Sequence, residues 1–203
     1  MIAEKIRYGI MPERDYDTMN KTLALVCDTF PEGVINTTEI GVHRGDTSRG
    51  IHKFFTDRNR IHFHTGIDNG HDLPITQPYD GCNIILGDSL EVSDSISNNS
   101  QHFVFIDGNH SFLYTVSDFL LYKNKVRIGG FIAFHNTGAQ IQPKTDFQYI
   151  GDRENFYSYI SCRRAIKELG LLDDKFYGWR LIMDEYDESK HTGGMTVFQK
   201  IKQ

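Results

Sequence analysis

Apolar positions along the chain alternate between short continuous runs and stretches spaced three and four apart, the pattern of strands separated by helices. Met19, Leu23, Leu25, Val26 and Phe30 are spaced as on one helix of about three turns, expected to cover a sheet. Thr37 to Val42 is apolar and β-branched and predicts a buried first strand, after which Thr47 to Phe55 switches to helical spacing through Ile51, Phe54 and Phe55. Two further strands are predicted in RIHFHTGID (60–68) and NIILGDS (83–89), and a fourth in QHFVFIDGNHS (101–111). The last is almost continuously apolar from Phe103 to Ile106, as a parallel strand buried on both faces would be. Phe112 to Tyr122 reads as a helix with Val116, Phe119 and Leu120 on one side, and a turn at Gly129 and Gly130 leads into a fifth strand, FIAFHN, ending at His135 and Asn136.

Residues 137–156 are polar and without period, which predicts a surface loop or lid placed after a strand end. A helix is expected at 157–170, closing at Gly170. WRLIMDEY (179–186) and GMTVFQKI (194–201) read as two final strands, and the short DESKHTGG between them suits an antiparallel hairpin. Strand and helix units in alternation predict an α/β fold, a Rossmann-like doubly wound open sheet with helices on both faces. At 203 residues this is one core, with residues 1–36 as a helical cover segment ahead of the main domain at 37–203.

In such sheets ligands bind beyond the carboxyl ends of the strands. Here those ends carry Gly41 to Gly45, Asp68, Asp88, Asp107 and His135 with Asn136, five in succession with a turn glycine or a side chain able to hold a ligand. Gly41 and Gly45 free the backbone for close approach, and Asp46, Thr47 or Ser48 can cap the helix that follows. The 22 Lys and Arg are outnumbered by 27 Asp and Glu, so the net charge of -5 argues against nucleic acid or an anionic membrane as partner. The three cysteines, Cys27, Cys82 and Cys162, lack metal-knuckle or redox spacing. The first residues, MIAEKIRYGIMPERDYD, lack a signal-like apolar run, and the expected compartment is the cytoplasm. Monomer and homo-oligomer both stay open.

The spacing Gly41-Val-His-Arg-Gly45 is wider than the dinucleotide Gly-x-Gly-x-x-Gly, while acids after the second and third strands suit a nucleoside: one to accept ribose hydroxyls, one to meet an adenine amino group. With EIGVHRGDTS, GID, GDS, FIDGNHSF, GGFIAFHNT and the late RRAIKEL helix before a strand pair, the chain resembles the class I S-adenosylmethionine-dependent methyltransferases. Within them it resembles the small-molecule and sugar O-methyltransferases of the macrocin O-methyltransferase group, including sequences labelled cephalosporin hydroxylase. The resemblance covers residues 36–200 and implies a seven-stranded sheet whose last strand is antiparallel.

It also implies roles. Glu39, Gly41, Gly45, Thr47 and Ser48 would shape the pocket for the methionine part of S-adenosyl-L-methionine, Asp68 would bind ribose, Asp88 with Ser89 would flank adenine, and Asp107 would lie beside the sulfonium. Metal-dependent members hold magnesium with carboxylates after strands four and five. This chain departs from them, with Asn109 in FIDGNHS and His135-Asn136 in FHNT. Asp107, His135 and Asn136 would then hold magnesium poorly, or a softer cation such as manganese. Without a metal, His110 or His135 would be the base that takes the proton of a small hydroxylated acceptor, with Asp107 beside it. Two other functions stay open at this point: a nucleoside-binding or scaffold protein that no longer methylates, and a nicotinamide-dependent oxidoreductase.

Overall fold

The computed structural model describes residues 11–70, 78–138, 161–173, 176–186 and 193–202. Helix α1 spans Glu13–Thr29, with Pro12 at its N-cap and Met19, Leu23 and Val26 on its buried stripe. It is followed by β1 (Ile35–Ile40), α2 (Asp46–Thr56), β2 (His62–Asp68), β3 (Asn83–Leu86), α3 (Ser89–Val92), β4 (Gln101–Ile106), α4 (Phe112–Tyr122) and β5 (Val126–His135). The short α5 (Cys162–Glu168) precedes β6 (Trp179–Asp184) and β7 (Met195–Lys200).

The seven strands form one sheet in the order β3-β2-β1-β4-β5-β7-β6. Pairs from β3 through β5 are parallel, and β7 runs antiparallel to both β5 and β6. The expected antiparallel last strand and hairpin partner are therefore present. The order reverses between β1 and β4, so the crevice of a doubly wound sheet falls where Ile40 and Ile106 end their strands side by side.

Alternation along each strand sends side chains to two cores. Met19, Leu23 and Val26 of α1 and Ile51, Phe54 and Phe55 of α2 pack on Phe103, Phe105, Phe131 and Val197. On the other face Phe119 and Tyr122 of α4 and Ile166 of α5 pack on Ile40, Ile67, Val104, Ile132, Phe134 and Phe198. All six residues of β4 are buried, as its unbroken apolar run predicts. Helix α1 contributes to the first of these cores directly, so the cover segment is packed on the sheet through Met19, Leu23 and Val26.

Three boundaries differ from the sequence pattern. β1 begins at Ile35 and ends at Ile40, leaving Gly41 and Val42 in the loop. β5 begins at Val126, and Gly129 and Gly130 lie inside it rather than in a turn before it. Gly129 takes φ +83 while the register against β4 shifts between Gln101 and Phe103, so the pair forms an irregularity of the bulge type within a continuous strand. Helix α1 is 17 residues long, beyond the three turns expected, and its extra N-terminal turn carries Asp15 to the carboxyl end of the sheet. The predicted loop at 139–156 and the helix start at 157–160 lie outside the described residues. No helix among the described residues is long and apolar enough to cross a membrane.

Candidate functional site

The chain leaves β1 through Gly41 at φ +90, and a Cβ built there would stand 2.2 Å from the Asp107 carbonyl oxygen. Only glycine lets the ends of β1 and β4 come this close. The loop then runs to Gly45, which is the N-cap of α2 in the left-handed region. Asp68, at the end of β2, fastens this loop: its Oδ2 accepts from the backbone N–H of Val42 at 2.9 Å and of His43 at 2.8 Å, and its Oδ1 accepts from Gly70 at 2.8 Å. The orientation of the carboxylate is thus fixed by three amides.

No side chain caps α2, although Asp46, Thr47 and Ser48 are each suited to do so. Ser48 instead turns inward and donates to Glu39 Oε2. Glu39 also lies 3.2 Å from His64 Nε2, while Thr37 Oγ1 joins His64 Nδ1 at 2.7 Å to His62 Nε2 at 2.8 Å. Burial drives the Glu39 carboxyl up from its ordinary value, against the lowering effect of His64 and Ser48, and drives His62 down to about 2, so His62 is neutral. This buried chain braces the first turn of α2 from beneath the glycine loop. In the sequence His62 and His64 read as ordinary strand or surface residues; alternation in β2 turns both inward.

Asp88 caps α3, its Oδ1 accepting from Leu90 N at 2.9 Å and its Oδ2 from the Tyr114 hydroxyl at 2.6 Å. Ser89 is buried and donates to Asp118 Oδ1 at 2.6 Å, while its carbonyl accepts from the Tyr122 hydroxyl at 2.9 Å. Its hydroxyl belongs to the packing of α3 on α4, so of the predicted adenine pair it is Asp88, held by Tyr114, that remains partly exposed.

At the end of β4, Asp107 Oδ1 accepts from His135 Nδ1 at 2.8 Å and faces His110 Nε2 at 3.1 Å. Burial opposes ionisation of Asp107, but the His135 charge and the bonds from both rings outweigh it and hold the carboxyl below the usual range. His135 is buried too, which would lower its pKa, yet Asp107 and Asp15 outweigh this and raise it. Its second nitrogen, Nε2, lies 3.1 Å from Asp15 Oδ2 on α1. Asn136 takes φ +54, accepts from Gly193 N at 2.9 Å through Oδ1, and directs Nδ2 at the His110 ring, 3.1 Å from Nε2 and 3.5 Å from Nδ1. Asp107 and the Asn136 amide thus compete for His110 Nε2, one as acceptor and the other as donor. The charge-assisted bond to Asp107 is the stronger, which makes Nε2 the protonated nitrogen.

The three catalytic candidates, Asp107, His110 and His135, therefore meet at one point. The three candidate metal ligands meet as well, yet their donors do not fit a divalent cation. Both nitrogens of His135 face carboxylates, and the Asn136 oxygen is engaged by Gly193. Asp107 is left as the one oxygen donor, where magnesium wants several. Among the described residues no group of three or more His, Cys, Asp or Glu is arranged to hold a metal. Asp15 is absent from the sequence-based candidates, though a signal existed: an acid four residues before Met19 falls on the apolar stripe of α1.

The glycine loop, the acids after β2, β3 and β4 and the His-Asn end of β5 all lie within one recognisable stretch. Residues 38–137 match the methyltransferase domain family. No curated protein matches the chain. Among solved structures it is similar to an O-methyltransferase from Bacillus cereus in complex with SAH (S-adenosylhomocysteine), at 15% identity and TM-score 0.56, covering 90% of this chain and 81% of that one. It is also similar to the plantazolicin methyltransferase in complex with a triazolic desmethylPZN analogue and SAH, at 11% identity and TM-score 0.62, covering 91% of this chain and 84% of that one. A third is a methyltransferase of mycinamycin biosynthesis in complex with Mg, SAH and mycinamycin VI, at 17% identity and TM-score 0.50, covering 83% of this chain and 46% of that one. These likenesses establish the methyltransferase fold.

Proposed function

We propose that the protein is an S-adenosylmethionine-dependent methyltransferase acting on a hydroxyl of a small molecule, with sugars the first class to test. The observation that carries this reading is the junction of Gly41 with Asp107, which sets a bare glycine turn against a carboxylate paired with a histidine. Gly41, Gly45 and Thr47 would border the methionine part of the cofactor, Asp68 the ribose and Asp88 the adenine. When bound, the cofactor supplies an electrophilic methyl group on a sulfonium.

Much of the acceleration in such a displacement comes from placing the acceptor oxygen in line. The protein's further task is to take the hydroxyl proton. With Nε2 donating to Asp107, His110 carries its lone pair on Nδ1 and is oriented by the carboxylate, as a general base is oriented by an acid behind it. His135 is unsuited, because both of its nitrogens point at carboxylates. Asp107, ionised at neutral pH, would place negative charge beside the sulfonium.

A thermal melt with SAH, with NADH or with neither tests the cofactor. At a hundredfold excess over its dissociation constant SAH should add about 2.7 kcal/mol and raise the midpoint by roughly 5–10 °C. A shift with NADH alone would favour the oxidoreductase reading, and SAH binding without transfer to any of a panel of sugars and phenols would favour the scaffold reading. Asp68→Ala should weaken SAH binding about tenfold or more by calorimetry, since it removes the ribose acceptor and unfastens the Val42–His43 loop.

A further inference from the structure

Asp15 is fully buried on α1 yet has none of the roles above. Its two oxygens accept from Gly194 N at 3.2 and 3.0 Å, and Oδ2 lies 3.1 Å from His135 Nε2. His135 Nδ1 lies 2.8 Å from Asp107 on the far side of the ring. An ionised carboxylate only accepts hydrogen bonds, so a ring caught between two of them donates from both nitrogens. The charged groups that face it are Asp107 from the end of β4 and Asp15 from α1, the latter with Arg14 Nε 3.4 Å from its Oδ1. Phe105 closes the side of the ring, with centroids 6.1 Å apart.

We propose that Asp15 is a positioning residue for methyl transfer: by holding His135 Nε2 it aims the Nδ1–H at Asp107, so that an imidazole donor stands where a divalent cation was the open alternative. This rests on the methyltransferase reading. The electrostatics agree with it. Counted as ionised, Asp15 and Asp107 are balanced by a doubly protonated His135 and the Arg14 guanidinium beside Asp15, so a divalent cation added to the group would leave two positive charges next to a cofactor bearing a sulfonium. A residue serving only to tie α1 to the β7 end would need the Gly194 bond and nothing more. Asp15 reaches the ring as well, and the ring reaches the strand end where Gly41 lies.

The test uses the full chain, as wild type, Asp15→Asn and His135→Gln. Nitrogen NMR at pH 7.5 reads the ring of His135, identified by the signals that vanish in His135→Gln. Wild type should show two protonated ring nitrogens, and Mn²⁺ titrated to millimolar concentration with SAH present should leave its EPR signal that of the free ion. Asp15→Asn keeps an acceptor oxygen but loses the charge, and should cost His135 one of its two ring protons at the same pH. A singly protonated ring in wild type overturns the proposal, as does Mn²⁺ binding that broadens the His135 signals. Two ring protons persisting in Asp15→Asn would reduce Asp15 to a structural tie and overturn it too. Should Asp15→Asn fail to fold, the wild-type ring and Mn²⁺ readings still decide. Calorimetry with SAH scores the cofactor reading separately: no binding in wild type overturns that reading, and the proposal resting on it, while leaving the ring signals as they are.

Discussion

Gly41→Ala should cost about 2–5 kcal/mol in stability and abolish the SAH-induced rise in melting temperature. Two effects add. An alanine at φ +90 sits outside the regions open to L-residues, a strain of about 1–2 kcal/mol even in the milder left-handed well. The new methyl carbon would also stand 2.2 Å from the carbonyl oxygen of Asp107 and 2.7 Å from Gly108 Cα. These are backbone atoms at the end of a fully buried strand, so they can give way only by moving the end of β4, and overpacking of this kind costs about 1–3 kcal/mol. That movement carries Asp107, and with it the bonds to His110 and His135, away from the glycine loop. Urea unfolding measures the first loss and a melt with SAH the second. A variant that matches wild type in both would mean that the ends of β1 and β4 are not in contact and that the site is assembled elsewhere.

How far the sequence revealed all this depends on the range of the interaction concerned. The strands β1 to β5 and the row of polar ends were legible because burial writes itself locally: Phe103 to Ile106 is apolar at every position, and Asp107 ends it. The five strand ends were correctly brought together, since the topology of alternating units allows few other arrangements. What the sequence concealed is pairing between distant elements. Asp15 and His135 are 120 residues apart, and nothing near either one announces the other. Ser48 reads as a cap and Ser89 as a cofactor contact, because a hydroxyl at a helix start has both uses. Their actual partners, Glu39 and Asp118, are set by which face of the strand or helix turns inward. The Gly129–Gly130 pair misleads for a related reason: a turn and a bulge within a strand make the same demand on the backbone, and only the neighbouring strand distinguishes them.

The partner of Ser89 leads to an effect of similar size on stability. Asp118 is fully buried on α4, and burial pushes its carboxyl up to about 7, with Asp88 adding to the rise and the Ser89 hydroxyl opposing it. Its Oδ1 accepts from Ser89 at 2.6 Å, while Oδ2 has no partner among the described residues. In the unfolded chain the same group titrates near 3.9. Between about pH 4 and pH 7 the folded state therefore holds a proton that the unfolded state releases, and stability falls as pH rises through that window. Above pH 7 the folded protein carries a buried charge with a single hydrogen bond, and the accumulated loss reaches about 4 kcal/mol at most. An asparagine side chain in its place has nearly the same shape, accepts the same bond from Ser89 and carries no charge. Asp118→Asn should thus match wild type at pH 4.5 and exceed it in urea unfolding by about 2–4 kcal/mol at pH 8. A difference between the two proteins that stays constant from pH 4.5 to 8 would show that Asp118 is already ionised throughout, and that Oδ2 is solvated or paired in solution. The sign also bears on the site. Asp118 lies behind Ser89, next to the Asp88 proposed to face adenine, so the folded state most stable against denaturation is one in which Asp118 adds no charge there.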